Sequence, residues 1–215
     1  MSAGGSRRGR SRRTQREETQ ARLIDATVEL LRAKSLMELA ATDIAARAGL
    51  SNAAFYVYFR DVYDAVLAAC ARADQSPPEL LAVLESPWSA ATAREAAAAL
   101  TAGYFAVWDT HRPVLRARNL AADEGRLEFV KARQLAVAPL AGALRRQIEA
   151  GQAAARIPRG IDPLALTNVL LALLERTGAV RHDYADLTPR WQQDYGEAVV
   201  HTLLSALGFG RPVRI

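Results

Sequence analysis

Few segments of this sequence have the residue types and spacing that catalysis or cofactor binding requires. Residues 49–53 (GLSNA) have the outline of a G-x-S-x-G turn, which holds a nucleophilic serine between a strand and a helix. Here the last glycine is alanine and the preceding residues have a helical pattern, so a serine hydrolase is not expected. The sequence contains no P-loop, G-x-G-x-x-G or H-E-x-x-H motif. We therefore expect a protein that is not an enzyme.

Metal and redox chemistry have equally little support in the sequence. The three histidines, His111, His182 and His201, lie far apart, and the single cysteine, Cys70, cannot form an internal disulfide. Residue pairs with the spacing of a zinc site are missing as well. We expect no metal, no cofactor and a reducing compartment, the cytoplasm.

A run of arginines at the start of the chain is the strongest chemical feature. Residues 1–16 contain six arginines and no acid, so they carry a charge of +6, whereas the whole chain carries +5. Such an arm binds the phosphates of nucleic acid or an anionic membrane surface, and otherwise it is a solvated leader. We expect this arm to be disordered. No apolar segment follows the arginines, so an export signal is not expected.

The elements that position these residues are expected to be helices alone. A chain of 215 residues, 50% of them hydrophobic, can bury a core, and its apolar residues recur with a helical period after residue 16. The longest nearly unbroken apolar run, Ala96–Trp108, is shorter than the roughly 18 to 20 residues that span a bilayer, so no membrane segment is expected. The all-α fold should have helices over residues 17–33, 42–48, 52–59, 61–73, 91–110, 113–122, 126–150, 163–181 and 189–207.

Glycine and serine mark a tight connection between two of the short helices. Gly49 suits a left-handed helix end and Ser51 suits an N-cap, which predicts a helix-turn-helix over about residues 41–60. Residues 75–78 (QSPP) predict a domain boundary. The expected organisation is an arm over 1–16, a first domain over 17–75 and a second over 76–215.

Helix ends in the second domain have similar signals. Asp162 and Thr188 each precede a proline and suit N-caps, whereas Gly151 and Gly208 suit helix stops. Pro139 should kink or divide the helix over 126–150.

An ordered pattern of residues runs through positions 20–67. It contains Ile44-Ala45, Ala48-Gly49, Ser51 and the ending Tyr56-Val57-Tyr58-Phe59. This pattern resembles the DNA-binding domain of the TetR family of bacterial transcriptional regulators. The stretches YFAVWDTHRPVLRA and LLERTGA are faintly similar to the mycobacterial ethionamide-resistance regulator subgroup. The resemblance implies an N-terminal helix-turn-helix domain and a C-terminal helical domain for ligand binding and dimerisation.

Helical spacing divides the predicted recognition helix into two faces. Phe55 and Phe59 lie four residues apart and should face the core. On the other face Asn52 could bond adenine, and small residues could touch thymine methyl groups, while hydroxyl groups hold phosphates. The predicted DNA-binding residues are Arg10, Arg12, Arg13, Arg16, Thr42, Ser51, Asn52, Ala53, Ala54, Tyr56, Tyr58 and Arg60.

Three positions depart from the family pattern. Ala40 stands where a threonine or serine usually caps the second helix, and Ser35 replaces a usual glycine. Val62 stands where the fourth helix usually begins with a lysine that holds the DNA backbone. Arg60 is the nearest residue that could replace this lysine.

Two apolar helices near the C-terminus are expected to form a dimer. Apolar residues surround most of the helix over 163–181, and the helix over 189–207 has a broad aromatic row, so one face of each remains after the core is covered. Two such helices from each subunit would form an isologous four-helix bundle, although both could instead be the core of a monomer. The expected interface residues are Leu166, Leu170, Leu173, Trp191, Tyr195, Val199 and Leu203.

A small-molecule pocket is expected among aromatic residues of the second domain. Ordinary core packing is the alternative interpretation of the same residues. No acidic cluster stands among them, which favours a neutral or anionic apolar ligand. The expected lining is Thr101, Tyr104, Phe105, Trp108, Asn119, Phe129, Asn168 and Arg176.

Together these features predict a sequence-specific DNA-binding regulator, a homodimer on a palindromic operator that a small-molecule ligand releases. The alternative is a helical nucleic-acid or membrane-surface protein that uses its arginine arm without ligand control.

Overall fold

The computed structural model describes residues 4–73, 77–184 and 190–210, with side chains from Arg13 onward except that of Tyr184. These residues form nine α-helices and two short 3-10 turns, Leu36–Glu38 and Arg181–Tyr184, and no strand, which confirms the all-α prediction. The helices are α1 Gly4–Leu31, α2 Ala41–Arg47, α3 Asn52–Tyr58, α4 Val62–Ala73, α5 Pro78–Glu85, α6 Ala93–Asp123, α7 Leu127–Ala153, α8 Pro163–Val180 and α9 Trp191–Ala206.

The first helix begins much earlier than expected. α1 starts at Gly4, so the expectation of a disordered arm is wrong for residues 4–16. Its six arginines and one glutamine are good helix formers and it has no proline, although Gly4, Gly5 and Gly9 oppose a helix. Arg13 and Glu17 also form an i, i+4 ion pair with an N–O distance of 2.9 Å. The basic segment is therefore continuous with the helix that follows it.

Two prolines lie inside long helices that we expected to be divided or kinked at these positions. Pro113 lies within α6, so the expected break between residues 110 and 113 is wrong. Pro139 lies within α7 and does not divide it. A proline inside a helix costs about 3 kcal/mol, but α6 buries Trp108 before its proline and Leu115 after it. Tertiary packing on both sides of Pro113 outweighs the local preference.

The expected helix stops have mixed outcomes. Gly208 has a φ of +76° and follows α9, as expected. Gly151 instead lies inside α7, where a Cβ would approach the side chain of Ile157 to 2.7 Å. The left-handed position after α7 is Ala155, with a φ of +56°. Asp162 caps α8 by accepting a 2.7 Å hydrogen bond from the Ala165 amide, and Thr188 lies outside the described residues.

The chain divides into two compact units, one containing residues 1–74 and 113–133 and the other residues 75–112 and 134–215. This differs from the expected second domain over 76–215. The end of α6 and the start of α7 belong to the first unit because Val114, Ala121 and Phe129 are buried in the same core as Leu23 and Phe55. Helices α6 and α7 therefore supply residues to both units.

The second unit has a core of its own. Leu100, Trp108, Leu144 and Leu174 are almost completely buried there. Gly178 on α8 permits the close approach of Trp108, because a Cβ at this glycine would lie 2.6 Å from the indole ring. This unit also contains α5, a helix of eight residues that the sequence analysis missed.

One apolar stretch has the length and composition of a membrane span, which the search for unbroken apolar runs missed. It covers Pro163–Asp183, and 33% of its most apolar window is buried inside the protein. A core helix of a folded domain meets the same criterion.

Candidate nucleic-acid interface

Helices α2 and α3 form the helix-turn-helix that the sequence predicts. Gly49 has a φ of +67° and ends α2, and the amide of Leu50 donates to the carbonyl of Ala45 at 2.9 Å. Glycine enters this left-handed region without the steric cost of a Cβ. The Ser51 hydroxyl accepts a 3.2 Å hydrogen bond from the Ala54 amide, so Ser51 caps α3 as expected. The turn is set by local chemistry.

Helix α1 and the turn after it hold α2 through three charged contacts. Arg22 donates a 2.5 Å hydrogen bond to the Ala48 carbonyl. An ion pair of 2.6 Å joins Lys34 to Asp43, and a second of 2.5 Å joins Arg47 to Glu29. These contacts hold the turn before α3 against the rest of the first unit.

The two faces of α3 are separated as expected. Phe55 and Phe59 are buried, with ring centres 5.7 Å apart. Burying each ring contributes about 1.5 to 3 kcal/mol, so the orientation of α3 is strongly determined. Asn52 and Ala53 are exposed on the opposite face, as is Tyr56, which is 56% exposed. A row of short and amphipathic side chains with one amide is suited to the major groove.

One exposed residue on this face is not among the predicted DNA-binding residues. Val57 is 65% exposed, although it is apolar. It lies one helical turn beyond Ala53, so the period already noted could have identified it. An exposed β-branched side chain on this face can contact a thymine methyl group.

The remaining predicted residues lie around this surface. Thr42 and Ser51 are exposed, whereas Ala54 and Tyr58 are half-buried. The guanidinium of Arg16 lies 6.0 Å from the centre of the Tyr58 ring, so α1 brings at least one arginine to the end of α3. Arg13 is exposed beside Glu17. The side chains of Arg10 and Arg12 lie outside the described residues.

Two of the departures from the family pattern have structural consequences. Ala40 provides no side-chain cap for α2. Val62 is half-buried against the hydrophobic core of the first unit. The side chain of Arg60 is 82% exposed and lies 3.5 Å from the Asp64 carboxylate, so a cation remains at the start of α4 but has an acidic neighbour.

The structure does not bring the predicted ligand-binding residues together. Thr101, Tyr104, Phe105 and Trp108 are buried on the inward face of α6. Phe129 instead belongs to the core of the first unit, against Tyr63 at a ring distance of 6.1 Å. Asn168 and Arg176 are exposed because the period of α8 turns Leu170 and Leu174 inward, and Asn119 is half-buried.

The predicted dimer residues divide in a similar way. Leu170, Val199 and Leu203 are at most 3% exposed, so they belong to the core of the single chain and not to a free face. Leu166, Leu173, Trp191 and Tyr195 are half-buried. The exposed apolar residues of α8 are instead Leu164 and Val169, at 56% and 63%. The expectation is therefore wrong for the three buried residues, because sequence alone does not reveal which side of an apolar helix its own chain covers, and the four half-buried residues stay a prediction.

A recognition helix capped by serine, held by α1 and open on one face defines the helix-turn-helix class of DNA-binding proteins. Residues 23–66 match the model of bacterial regulatory proteins of the tetR family, and residues 80–200 match a tetracyclin repressor-like C-terminal domain. The second match spans more than half of the chain. The chain therefore belongs to the TetR family and is a DNA-binding transcriptional regulator.

Solved structures have the same fold at low sequence identity. FadR from Bacillus subtilis, solved in complex with stearoyl-CoA, has a TM-score of 0.65 and 16% identity, covering 86% of this chain and 98% of its own. The fatty acid degradation regulator FadR from Bacillus halodurans has a TM-score of 0.61 and 14% identity, with coverages of 84% and 94%. A TetR/AcrR regulator from Thermobifida fusca has a TM-score of 0.57 and 22% identity, covering 87% of this chain and 97% of its own. No curated protein matches the sequence significantly.

Proposed function

We propose that this regulator is a homodimeric repressor of the cytoplasm, without enzymatic activity, and that an apolar small molecule releases it from a palindromic operator. The observation that carries ligand control is the course of α6. Its first part lines a cavity in the second unit, whereas Val114, Ala117 and Ala121 near its end are buried in the core of the DNA-binding unit. A ligand that displaces α6 therefore also acts on that core.

The cavity proposed for the effector has a volume of about 410 Å³ and lies between α5 and α6. Leu80 and Val83 on α5 and Ala99, Gly103 and Val107 on α6 line it. A Cβ at Gly103 would lie 2.9 Å from the Leu80 side chain, so the glycine permits Leu80 to pack closely on α6. The volume and the apolar walls suit a drug-sized apolar molecule. None of the eight residues expected from the sequence lines it.

The ligand of the Bacillus subtilis relative supports this ligand class. That protein was solved with stearoyl-CoA, which has a long apolar chain and an anionic head. The sequence of the present chain also favours a neutral or anionic apolar ligand. We propose an aliphatic chain with a neutral or anionic end as the effector. The aliphatic chain lies between α5 and α6, and an anionic end lies outside the cavity, because the lining includes Glu79 and no arginine or lysine.

The dimer is proposed to form through the exposed face of α8. Leu164 and Val169 share this face with the exposed residues Ala165 and Ala172. These apolar residues form a stripe that Asn168 interrupts, and such a stripe needs a mostly apolar partner. A second copy of α8 supplies that partner in an isologous interface.

The test of ligand control measures operator binding by fluorescence anisotropy at rising ligand concentration, on an operator selected from random duplex DNA. Stearoyl-CoA, decanoate and decylamine serve as probes, and we expect the first two to release the operator and decylamine to have little effect. Ala106→Phe should block release because Ala106 lines the cavity, while Ala98→Phe is the control at an exposed position of α6 that does not line the cavity.

Three results would contradict parts of this proposal. If ligand releases the operator equally in both α6 variants, the effector binds elsewhere. Operator affinity that no probe changes would argue against an aliphatic effector. Equal binding to RNA, duplex DNA and anionic vesicles would favour the alternative of a nonspecific basic protein.

A further inference from the structure

A second cavity, of about 500 Å³, lies within the second unit and shares no lining residue with the α5–α6 cavity. Its walls come from the end of α5, the loop after α5, α7 and the turn after α7. This volume lies within the range of small-molecule sites, about 300 to 1,000 Å³. The DNA-binding and dimer surfaces described above use none of these residues.

The apolar side of this cavity is held in place by hydrogen bonds. Leu84 and Trp88, 1% and 6% exposed, support this side from beneath, and Pro87 and Ala150 are exposed beside them. The Trp88 indole N–H donates to the Val83 carbonyl at 2.8 Å. The Gln147 amide donates to the carbonyls of Leu84 and Ser86 at 2.7 and 2.6 Å, which ties the loop to α7. A preformed apolar wall binds a ligand without the entropy cost of ordering it.

Arg156 provides a fixed positive charge at the same cavity. Its guanidinium donates to the Leu207 carbonyl at 3.0 Å and lies 4.0 Å from the centre of the Phe209 ring. Within the described parts of the chain no carboxylate forms an ion pair with it. A guanidinium has five N–H donors, and the single carbonyl bond leaves most of them available to a ligand.

A second cation lies on the neighbouring wall. Arg146 lines the cavity and lies 3.5 Å from the Glu85 carboxylate, which lines it as well. Glu85 partly neutralises Arg146, and Arg156 remains as the excess charge. The charged lining therefore sums to one positive charge beside an apolar wall.

We propose that this cavity binds an organic anion, in which an apolar ring or chain packs on Pro87, Trp88 and Ala150 and a carboxylate is bound by Arg156. Arginine forms two parallel hydrogen bonds with a carboxylate, and these are stronger than neutral ones. Arg146 supplies a second, weaker attraction because Glu85 competes for it. The site is independent of ligand control through the α5–α6 cavity.

The experiment compares two probes of the same shape on the full-length protein by isothermal titration calorimetry. Naphthalene-2-carboxylate carries the anion, and naphthalene-2-carboxamide is its neutral counterpart. We expect the carboxylate to bind once per chain, with an affinity that falls at higher salt. The amide should bind about tenfold more weakly, since it lacks the charge-assisted bonds.

Variants that are expected to weaken or to strengthen carboxylate binding test where the site lies. Arg156→Gln should weaken carboxylate binding about tenfold, and Arg156→Lys should retain more of it. Glu85→Gln should strengthen binding, because it frees Arg146. Ala150→Phe should weaken both probes by filling the cavity. Arg159→Gln, at an exposed position in the same turn region, is the matched control and should change nothing.

Circular dichroism establishes that each variant is folded. The proposal is overturned if wild-type protein shows no saturable binding, if both probes bind equally, or if Arg156→Gln and Arg159→Gln behave alike. If Arg156→Gln does not fold, the Glu85→Gln variant decides, and unchanged or weaker binding there overturns the proposal. Operator binding is not a readout, so this result is separate from the test of ligand control.

Discussion

The guanidinium of Arg22 on α1 donates a 2.5 Å hydrogen bond to the carbonyl oxygen of Ala48 at the end of α2. Carbonyl groups at a helix end lack partners within the helix, so this bond satisfies one of them with a charged donor. A Cβ at Gly49 would lie 3.2 Å from the same nitrogen, so the glycine keeps the approach open. The turn before the recognition helix is thereby tied to α1.

We expect Arg22→Met to lower the free energy of unfolding by about 1 to 2 kcal/mol, since the Ala48 carbonyl loses its charged donor. Operator affinity should fall as well, because α3 follows this turn directly. Urea denaturation followed by circular dichroism gives the first quantity and anisotropy the second. Arg32→Met is the control at an exposed position just after α1, and equal losses in both variants would contradict a specific role for Arg22.

Removing residues 1–13 should weaken DNA binding by a similar factor on every sequence. The arginines of this segment neutralise phosphates, so each lost contact should reduce the slope of log K against log salt by about 0.9. A full-length variant with glutamine at each of these arginines should behave like the truncation. An unchanged salt slope in both proteins would mean that the segment does not contact DNA.

Base recognition should depend on few side chains of α3. Asn52→Ala should relax the preference at one position of each half-site by about 1 to 3 kcal/mol, and Val57→Ala should relax a preference for thymine. Tyr56→Phe should weaken binding without changing the ranking of sequences, because its hydroxyl is assigned to phosphate. Selection from random duplex DNA measures all three, and an unchanged preference for the Asn52 variant would refute its role.

A charge on the exposed face of α8 should prevent dimerisation. We expect Val169→Glu to give folded monomers that lose operator binding, because two half-sites about 34 to 36 Å apart need two linked recognition helices. Analytical ultracentrifugation at micromolar concentration measures the change. Leu135→Glu, at an exposed apolar position of α7, is the control, and monomers from that variant alone would place the interface elsewhere.

Asp109 should make the free energy of unfolding depend on pH in the acid range. Its carboxylate accepts hydrogen bonds from Arg181 and, at 2.7 Å, from His182. Partial burial raises the pKa of Asp109, but the bonds from His182 and Arg181 lower it by more, so the folded pKa lies below its ordinary value. The stabilisation is thus present above the unfolded pKa of about 4 and is lost as pH falls through the folded pKa.

The corresponding variant is Asp109→Asn. It should be less stable than wild type at neutral pH, and its stability should fall less steeply below about pH 4. Urea denaturation at a series of pH values measures this difference, with Asp194→Asn as an exposed control on α9. Parallel curves for the wild type and the Asp109 variant would contradict the assignment.

Local features of the DNA-binding unit could be predicted from the sequence alone. The left-handed end at Gly49, the cap at Ser51 and the inward pair Phe55 and Phe59 depend on residues within one or two helical turns. Capping and helical period operate over such distances, so the pattern of residues is sufficient. The same period places Val57 on the exposed face, although valine is usually buried.

Tertiary structure decided the features that depend on distant residues. Packing beside Trp108 and Leu115 carries α6 through Pro113, and Phe129 belongs to the core of the first unit although it follows Trp108 in the sequence by only 21 positions. Which side of α8 its own chain covers, and where cavities remain, likewise depend on how helices pack. Burial is a property of the whole assembly of helices, so an apolar residue does not by itself reveal its partner.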